Sequence, residues 1–367
     1  MRVPDGLFRR KSFRITAAAV AALVAAAGIL DLAGVFDRWR DARALSRACD
    51  GIVPQTELTQ LLNVDGGLTS KRAWDSSARD DRKCVIYRPR EPDRAPLASL
   101  VVTLGQGRTS NQLLTDLDRN QSYDVESVSP IGSGWRGVLA GDRATVVMPC
   151  GRGSGDDLVV NLLTDPQRSD EGDGLSSPGQ RARFARLATQ TAVNAAERAG
   201  CQATPGKTIV SVPEAISWQG PALRPKEIAP PGKATGTCAG VDARTAGTAA
   251  DPLAPIEDCF ILDKNDQPRF RLAAYYGPFV QNGSVGVSIR HRVFATPAGG
   301  LDGLYWTSTA CPKQGGTAFY TVETLRDDNP GFTKPDPAAE RSALARFAER
   351  SARAHGCTPA HSLPATP

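Results

Sequence analysis

The hydrophobic pattern divides the chain into an apolar N-terminal run and a longer body of short apolar segments. Residues 15–30 include no charged side chain, and the run continues to Phe36 with Asp31 as its only carboxylate. A helix rises about 1.5 Å per residue, so residues 15–36 reach roughly 33 Å, close to a bilayer's hydrocarbon thickness of about 30 Å. The pattern therefore predicts one transmembrane helix over residues 15–36.

Basic residues before this run set the expected orientation. Arg9, Arg10, Lys11 and Arg14 lie on its N-terminal side, and positive charge favours the cytoplasmic side of a membrane. Residues 1–14 are thus expected in the cytoplasm, and everything after the helix outside it, beginning with a juxtamembrane segment at 37–48. The alternative is a cleaved signal peptide and secretion, although signal-peptide cores are shorter, at about 7–15 residues.

The body of the chain mixes helical and strand periodicity. Leu58, Leu61 and Leu62 share one face of a helix that follows Pro54, and Leu113, Leu114 and Leu117 share another. Strands in this part are predicted at 97–104, 125–128, 135–139 and 143–148, and a long helix at 178–199. The later part predicts strands at 271–276, 285–292, 304–309 and 319–325, and a helix at 338–354.

Prolines separate these two parts. Six prolines between residues 202 and 237 prevent continuous regular structure, so a linker is predicted at 219–237. The run Ile209-Val210-Ser211-Val212 is also compatible with one more strand of the first part.

Eight cysteines follow the apolar run, four in each part of the body. An even number on the exported side indicates disulfides, and no pair has the short spacing of a zinc or redox motif. We favour pairing first with second and third with fourth within each part. The structural cysteines are Cys49, Cys84, Cys150, Cys201, Cys238, Cys259, Cys311 and Cys357.

The two sets of cysteines follow one plan, which indicates a duplication. Each set begins with Cys-x-Gly and ends with Gly-Cys after an Ala/Arg-rich helix. Leu158 and Phe319 each open an apolar run eight residues after the third cysteine of their set. The predicted fold class is α+β: the membrane helix is followed by two tandem, related domains at 49–218 and 238–357. Each domain is expected to be an antiparallel sheet with packed helices and two disulfides, and 358–367 to be a tail.

Net charge argues against a nucleic-acid partner. The formal net charge is +5, and residues 1–36 hold three of these charges. The exported body is therefore close to neutral, which gives a polyanion little to bind.

Histidine chemistry is limited to the second part, which contains all three histidines. His291 lies between Arg290 and Arg292 on a predicted strand, where an exposed structural role is favoured because side chains alternate between faces. His355 is expected to cap the terminal helix, and His361 lies in the tail.

Other candidate motifs also favour structural interpretations. Residues 151–157 are glycine-rich but lack the lysine of a phosphate loop, and a hairpin turn is favoured. The pair Asp156-Asp157 has too few ligands to define a calcium site. Neither GxSxG nor SxxK occurs, and no catalytic, cofactor-binding or metal-binding residue is predicted. The remaining acidic loop residues are expected to be solvated: Asp165, Asp170, Glu171, Asp173, Asp327 and Asp328.

The basic start, Ala-rich span, Cys-x-Gly opening and Gly-Cys helix ending together resemble uncharacterised actinobacterial membrane-anchored or lipoprotein-like envelope proteins. The expected function is binding, sensing or scaffolding at the outer face of the membrane, without an enzymatic activity. The expected partners are the lipid bilayer, through residues 15–36, and an envelope protein, a peptide or a wall-derived ligand held between the copies. The alternatives are an enzyme whose carboxylates are brought together by the fold, and a structural assembly subunit.

Overall fold

The computed structural model describes residues 41–364 with gaps. The gaps are residues 44, 47–48, 64–66, 74–81, 89–97, 107–109, 118–126, 152–156, 166–174, 176, 217–227, 281–295, 302, 315 and 326–334. The predicted membrane helix at 15–36 and the predicted strand at 285–292 lie outside the described residues. Across the described ranges, no helix is both long enough and apolar enough to cross a membrane.

The first half of the body forms one seven-stranded antiparallel sheet in the order β1-β2-β3-β7-β6-β5-β4. The long helix α3 packs on this sheet. The shorter helix α1 precedes the first strand and packs against α3, and α2 lies between β3 and β4. The elements are α1 (Gln55–Leu62), β1 (Thr69–Ala73), β2 (Arg82–Arg88), β3 (Ala98–Gln106), α2 (Ser110–Asp116), β4 (Ser129–Pro130), β5 (Gly137–Ala140), β6 (Arg143–Met148), β7 (Leu158–Asp165) and α3 (Pro178–Arg198).

The second half forms another seven-stranded antiparallel sheet, in the order β12-β13-β14-β11-β10-β9-β8, with helix α4 packed on it. Its first strand, β8, lies within the region predicted as a linker and pairs with β9. The elements are β8 (Ile228–Ala229), β9 (Thr245–Gly247), β10 (Ile256–Leu262), β11 (Pro268–Tyr275), β12 (Ala298–Leu301), β13 (Leu304–Cys311), β14 (Gly316–Thr324) and α4 (Pro337–His355).

Six strands of each sheet follow the same path. The neighbours β1-β2-β3-β7-β6-β5 in the first sheet correspond to β9-β10-β11-β14-β13-β12 in the second. In both halves the last strand inserts beside the third, and a long helix then packs on the sheet. The two halves therefore share one topology, as a duplication predicts.

The hairpin that contains the third cysteine differs in length between the two halves. The correspondence of Leu158 with Phe319, taken from their equal offset from that cysteine, is therefore wrong by one residue. Met148 pairs with Leu158 in the first sheet, whereas Thr309, at the matching position before Cys311, pairs with Ala318 in the second. Leu158 packs with helix α3, and Phe319 faces the opposite side of its own sheet. The turn is one residue shorter in the second half, so the equivalent of Leu158 is Ala318 and not Phe319.

All eight cysteines form disulfides, two in each half. Cys49 is bonded to Cys84 and Cys150 to Cys201, while Cys238 is bonded to Cys259 and Cys311 to Cys357. This is the same pairing that the sequence favoured. In each half the second bond joins a cysteine at or just after the end of one strand to a cysteine two or three residues after the long helix, and so holds the helix on its sheet.

The long helices begin and end with recognisable caps. The Ser177 side chain accepts a hydrogen bond from Gln180 N at the start of α3, and Asp336 accepts one from Ala339 N at the start of α4. Each helix has proline in its first turn, a position where proline's missing N–H costs nothing. Gly356 ends α4 with a left-handed backbone, φ 68°, which glycine adopts without strain.

The two sheets pack against each other, with the long helices on the outer faces. A shared core, here called the junction, lies between them and is filled by apolar side chains of both halves. The cleft expected between the copies is therefore occupied by this core over the described residues. The junction includes Leu113, Leu114, Leu117, Val128, Val138, Val147 and Val159 from the first half, and Ile256, Ala273, Tyr275, Phe279, Trp306 and Phe319 from the second.

Backbone contacts also cross the junction. Val128 N donates to Asp258 Oδ2 at 2.9 Å, and the Val128 carbonyl accepts from Thr248 Oγ1 at 3.2 Å. One residue earlier, Ser127 is bonded to Ile216 by two hydrogen bonds, Ser127 N to Ile216 O and Ile216 N to Ser127 Oγ. The chain on both sides of Val128 is thus held in place between the two sheets.

The run Ile209-Val210-Ser211-Val212 belongs to no strand. Helix α3 holds it instead, because Arg186 Nη1 donates to the Ile209 carbonyl at 3.1 Å and Arg181 Nε to the Val212 carbonyl at 3.4 Å. Ile209 and Val212 are buried in the core of the first half, whereas Val210 is exposed. The buried residues Ile209 and Val212 are three positions apart, so the segment lacks the two-residue alternation of a strand. Arginine side chains provide the donors that a neighbouring strand would supply.

Candidate functional site: a closed polar cluster beneath α4

A buried polar cluster of the described residues lies between the second sheet and α4. Its centre is Glu257 on β10. Because neighbouring strand residues point to opposite faces, Glu257 faces α4 while Asp258 faces the first sheet. Sheet alternation therefore separates two carboxylates that are adjacent in the sequence.

Glu257 accepts three hydrogen bonds from α4. Arg350 donates from Nη1 to Oε1 at 3.2 Å and from Nη2 to Oε2 at 2.9 Å, and Ser351 Oγ donates to Oε2 at 2.6 Å. Arg350 Nη2 also donates to the Thr237 carbonyl at 2.7 Å. The two-pronged contact between guanidinium and carboxylate is a strong, directional form of ion pair, and it fixes the middle of α4 on β10.

Two tyrosines extend the cluster towards the centre of the sheet. Since Ser351 donates to Glu257, it accepts from the Tyr276 hydroxyl. Burial raises the pKa of the Tyr276 phenol well above its usual value, and the nearby Tyr320 and Glu257 raise it further. Burial is also the main cause that raises the pKa of Tyr320. Both phenols therefore stay neutral in the folded protein at any ordinary pH.

His355 occupies the last turn of α4. Its ring stacks on the Tyr276 ring, with centroids 3.9 Å apart and an interplanar angle of 12°. Nδ1 lies 3.0 Å from the Ser351 carbonyl oxygen, and Nε2 lies 3.3 Å from that of Ala254. His355 was expected to cap the helix, and its position at the helix end agrees with that, but the side chain is buried and contacts the sheet.

The cluster is closed to solvent except at Arg350, whose side chain is 17% exposed. Relative exposures are 2% for Glu257, 1% for Tyr276, 0% for Tyr320 and Ser351, and 3% for His355. Among the described groups, two buried atoms of the cluster have no hydrogen-bond partner, Tyr320 Oη and Arg350 Nε. A substrate would have to displace α4 to reach these side chains.

The arrangement does not form a nucleophile and base pair. In such a pair the base must accept the nucleophile's proton within hydrogen-bonding distance, but both ring nitrogens of His355 face backbone carbonyls. Ser351 donates to Glu257 instead, whose carboxylate already balances Arg350. The chemistry that these contacts support is the attachment of a helix to a sheet.

Three other buried carboxylates each have their own partners outside this cluster. Asp258 accepts from Val128 N across the junction, and Glu323 is paired with Arg271 at 2.8 Å. Glu340 Oε1 accepts from Thr324 Oγ1 at 2.7 Å and from Asp336 N at 3.1 Å, at the start of α4. Within the described residues, no three His, Cys, Asp or Glu side chains are placed to hold a metal ion.

The residues singled out in the sequence fall in different parts of the structure. His361 has an exposed side chain, but its backbone docks on β13, where its carbonyl accepts from Thr307 Oγ1 at 2.7 Å. Residues 151–157 join β6 to β7, so the predicted hairpin is confirmed. Asp157, at its end, is buried. Outside the described residues lie His291, Asp156, Asp170, Glu171, Asp173, Asp327 and Asp328, as does the side chain of Asp165.

The cluster itself was not predicted from the sequence. Glu257 lies within β10 and Tyr276 directly follows β11, and the apolar pattern of both segments conceals them. Arg350 and Ser351 lie on a helix with many arginines. One available signal was the position of Glu257 in β10, where alternation places it on the same face as Cys259 and therefore on the helix side.

The fold and the cluster define a tandem α+β protein with two disulfides in each half. No protein-family model matches the chain, no curated protein matches it, and no solved structure matches it.

Proposed function

We propose that this protein is a membrane-anchored binding or scaffolding module of the bacterial cell envelope. Residues 15–36 are the anchor, and both halves lie outside the cytoplasm. The partner is an envelope protein, a peptide or a wall-derived ligand. The protein acts by presenting a rigid surface at the membrane, without a catalytic step.

The observation that carries this proposal is the use of every cysteine in a disulfide. Eight cysteines occur in the sequence, and the four bonds account for all of them. Disulfides persist in oxidising compartments and are rare in a reducing cytosol. The bonds therefore support export of the body, and the basic residues before residue 15 support the orientation with the N-terminus inside.

The polar cluster supports a rigid module as opposed to an enzyme. Its side chains bond α4 to the second sheet. All of them except Arg350 are nearly inaccessible to solvent. Catalytic groups need access to substrate and are commonly found on loops or in clefts. A cluster committed to packing gives the exported body a fixed shape, which is what a binding or scaffolding surface requires.

Protease treatment of spheroplasts tests location. The full chain, with a C-terminal epitope, is produced in bacteria, and protease is added before and after lysis. We expect loss of the epitope in intact spheroplasts and retention of an N-terminal fragment in the membrane fraction. The matched control replaces Arg9, Arg10, Lys11 and Arg14 by glutamate, which should reduce export. An epitope protected until lysis contradicts export, and epitope found only in the medium contradicts anchoring.

Crosslinking in native membranes tests partnership. The full-length protein is crosslinked, purified under denaturing conditions, and compared with a chain that retains residues 1–48 fused to an unrelated exported domain. Envelope components recovered with the full chain but not with the fusion support the proposal. Recovery of the same set with both proteins means that the anchor alone is responsible, and contradicts a binding role for the body.

A further inference from the structure

The four disulfides differ in how far their cysteines are exposed to solvent. Cys150 and Cys201 are both partly exposed, so neither end of this bond is sealed in the core. In each of the other three bonds at least one cysteine is almost fully buried. Relative exposures are 4% for Cys49, 5% for Cys84, 1% for Cys238 and 0% for Cys259 and Cys311, while Cys357 is partly exposed. The bond between β6 and the end of α3 is therefore the one that is open at both ends.

The equivalent bond of the second half, Cys311–Cys357, is also covered at its helix end. A Cβ atom at Gly356 would lie 2.9 Å from Lys313 Cδ, so the lysine side chain lies against the residue before the cysteine. In the first half the corresponding residue is Gly200, and a Cβ there would meet no other part of the described chain within 4 Å. Open space thus borders the helix end at Cys201.

We propose that Cys150–Cys201 is a site of thiol–disulfide exchange, and that its substrate is a protein dithiol of the Cys-x-x-Cys kind in the same compartment. Exchange begins when a thiolate attacks one sulfur of a disulfide, and its rate depends on access to that sulfur. All eight cysteines of the chain are bonded, so the chain has no thiol of its own to complete the exchange. The partner must therefore supply two thiols. The inference depends on the bonds alone, and on neither the anchor nor the binding role proposed above.

The open end of the bond determines which sulfur is attacked. A thiolate of the partner attacks Cys201 Sγ, which forms a mixed disulfide and breaks the bond to Cys150. The electron pair of that bond stays on Cys150 Sγ, which takes up a proton and can donate to the Met148 carbonyl, 3.4 Å away. Cys150 is also the better leaving group, because Cys201 lies beside the negative C-terminal end of α3, where a thiolate is disfavoured.

The partner's second thiolate completes the exchange. It attacks the partner's own sulfur in the mixed disulfide, and Cys201 leaves and takes up a proton. The partner ends as a disulfide, and its two thiols have supplied the two protons and two electrons that the cysteines gain. The reverse sequence restores the bond when the partner arrives oxidised.

Reduction removes the covalent link between β6 and the chain after α3, while the other three bonds remain. Packing still holds the helix, because side chains such as Phe184 and Leu187 are fully buried against the sheet. Chain entropy for a loop of 51 residues predicts a folding constant about a thousandfold smaller without the bond. Exchange at this bond is thus a reversible control on the stability of the first half.

Timed reduction tests whether this bond reacts first. The oxidised full chain in detergent is incubated with dithiothreitol, quenched with acid, alkylated and mapped by mass spectrometry. We expect Cys150–Cys201 to be reduced about tenfold or more faster than the other three bonds, because buried bonds react only after local opening. In urea-unfolded protein this preference should disappear. Another bond reduced first, four equal rates in the folded protein, or the same preference after unfolding overturns the proposal.

Trapping identifies the attacked sulfur and tests a protein dithiol directly. The probe is a thioredoxin whose second Cys-x-x-Cys cysteine is replaced by serine, so it cannot complete the exchange and stays bonded to the sulfur that it attacks. We expect the probe on Cys201 of the native wild type, as well as of the matched control Cys238→Ala/Cys259→Ala. A probe trapped on any other cysteine of the wild type overturns the proposal, as does the absence of a trapped complex. The wild type alone decides the outcome, so the result stands even where a variant does not fold.

Discussion

Arg271 and Glu323 form an ion pair within the face of the second sheet that meets the first sheet. Arg271 Nη2 and Glu323 Oε2 are 2.8 Å apart, and both side chains are almost fully buried. The strand register identifies the corresponding residues of the first half. Val102 and Leu272 pair with the equivalent cysteines Cys84 and Cys259, so Val101 corresponds to Arg271, and its neighbour Leu163 corresponds to Glu323.

The first half thus shows the apolar alternative to this ion pair. We expect Arg271→Val or Glu323→Leu alone to lower the free energy of unfolding by about 3–5 kcal/mol, because each leaves one buried charge without its partner. The double variant Arg271→Val/Glu323→Leu should recover most of that loss or exceed the wild type. Urea unfolding of all four proteins measures the coupling. A double variant as unstable as the sum of the two single variants would contradict a self-contained pair.

The disulfides should differ in how much they stabilise the folded protein, according to the length of chain that each one closes. Cys238–Cys259 closes 21 residues and Cys150–Cys201 closes 51. Chain entropy gives about 3.3 kcal/mol for the shorter loop and about 4.1 kcal/mol for the longer one. We therefore expect Cys150→Ala/Cys201→Ala to destabilise more than Cys238→Ala/Cys259→Ala in thermal unfolding. The reverse order would show that native packing around each bond outweighs loop length.

The two buried phenols should make the protein sensitive to alkali. Their pKa values are raised in the folded state, mainly by burial, so above about pH 10 the unfolded chain loses these protons first. The free energy of unfolding should then fall by about 1.4 kcal/mol per pH unit for each phenol. Below about pH 10 the phenols should not change the free energy of unfolding with pH. Urea unfolding from pH 9 to 11 measures this slope.

Tyr320→Phe separates ionisation from hydrogen bonding. The Tyr320 hydroxyl has no partner in the described part of the chain, so its removal should change stability little at pH 7 and reduce the alkaline slope. Tyr276→Phe also reduces the slope, but it removes the bond to Ser351 and should cost about 1 kcal/mol at pH 7. An alkaline slope that neither variant reduces would assign the sensitivity to other groups.

Gly206 allows the segment 203–216, which follows α3, to approach Trp135. A Cβ atom at Gly206 would lie 2.6 Å from Trp135 Cδ1, and the indole is fixed because its Nε1 donates to the Lys207 carbonyl at 2.8 Å. We expect Gly206→Ala to destabilise by about 1–3 kcal/mol through overpacking. The matched control is Gly179→Ala in α3, where a Cβ meets nothing within 4 Å and alanine should stabilise by about 0.4–1 kcal/mol. Equal effects of the two changes would contradict the close contact.

The junction should make the two halves unfold together. Phe279 follows β11 and is fully buried against the first half, so Phe279→Ala should cost about 3–5 kcal/mol. The change lies in the second half, yet near-ultraviolet circular dichroism and proteolysis of the first half should shift to the same midpoint. Two separated transitions, with the first half unaffected, would mean that the halves are stable independently.

Periodicity and cysteine spacing predicted most of the long elements. The strands β6 and β13 and the helices α3 and α4 lie where their apolar patterns place them, because each buries one clear face against a sheet. The strand β1 was missed because Thr69–Ala73 has the sequence TSKRA, in which no apolar alternation marks a buried face. The strand β12 was missed because glycines 299 and 300 lie against the rings of Trp306 and Tyr305, which supply the apolar surface that its own side chains lack.

The polar cluster and the junction could not be predicted because they depend on which faces meet. Leu158 and Phe319 share an eight-residue offset from a cysteine, yet a turn shorter by one residue directs them to opposite faces of their sheets. Similarly, the sequence does not indicate that Glu257 meets Ser351, 94 residues later. Tertiary packing decides which residues of a helix meet which residues of a sheet. The local sequence pattern does not indicate these contacts.

Because both disulfides of each half close within that half, nothing covalent except the connecting chain between Cys201 and Cys238 joins the two. A single cut there would leave two fragments that remain together as a non-covalent heterodimer, held by the apolar surfaces that each one presents to the other. The molecule thus has the construction of a dimer whose subunits were fused end to end. In a fused pair the two surfaces need not be identical. One half can therefore have the salt bridge between Arg271 and Glu323 at positions where the other half has Val101 and Leu163.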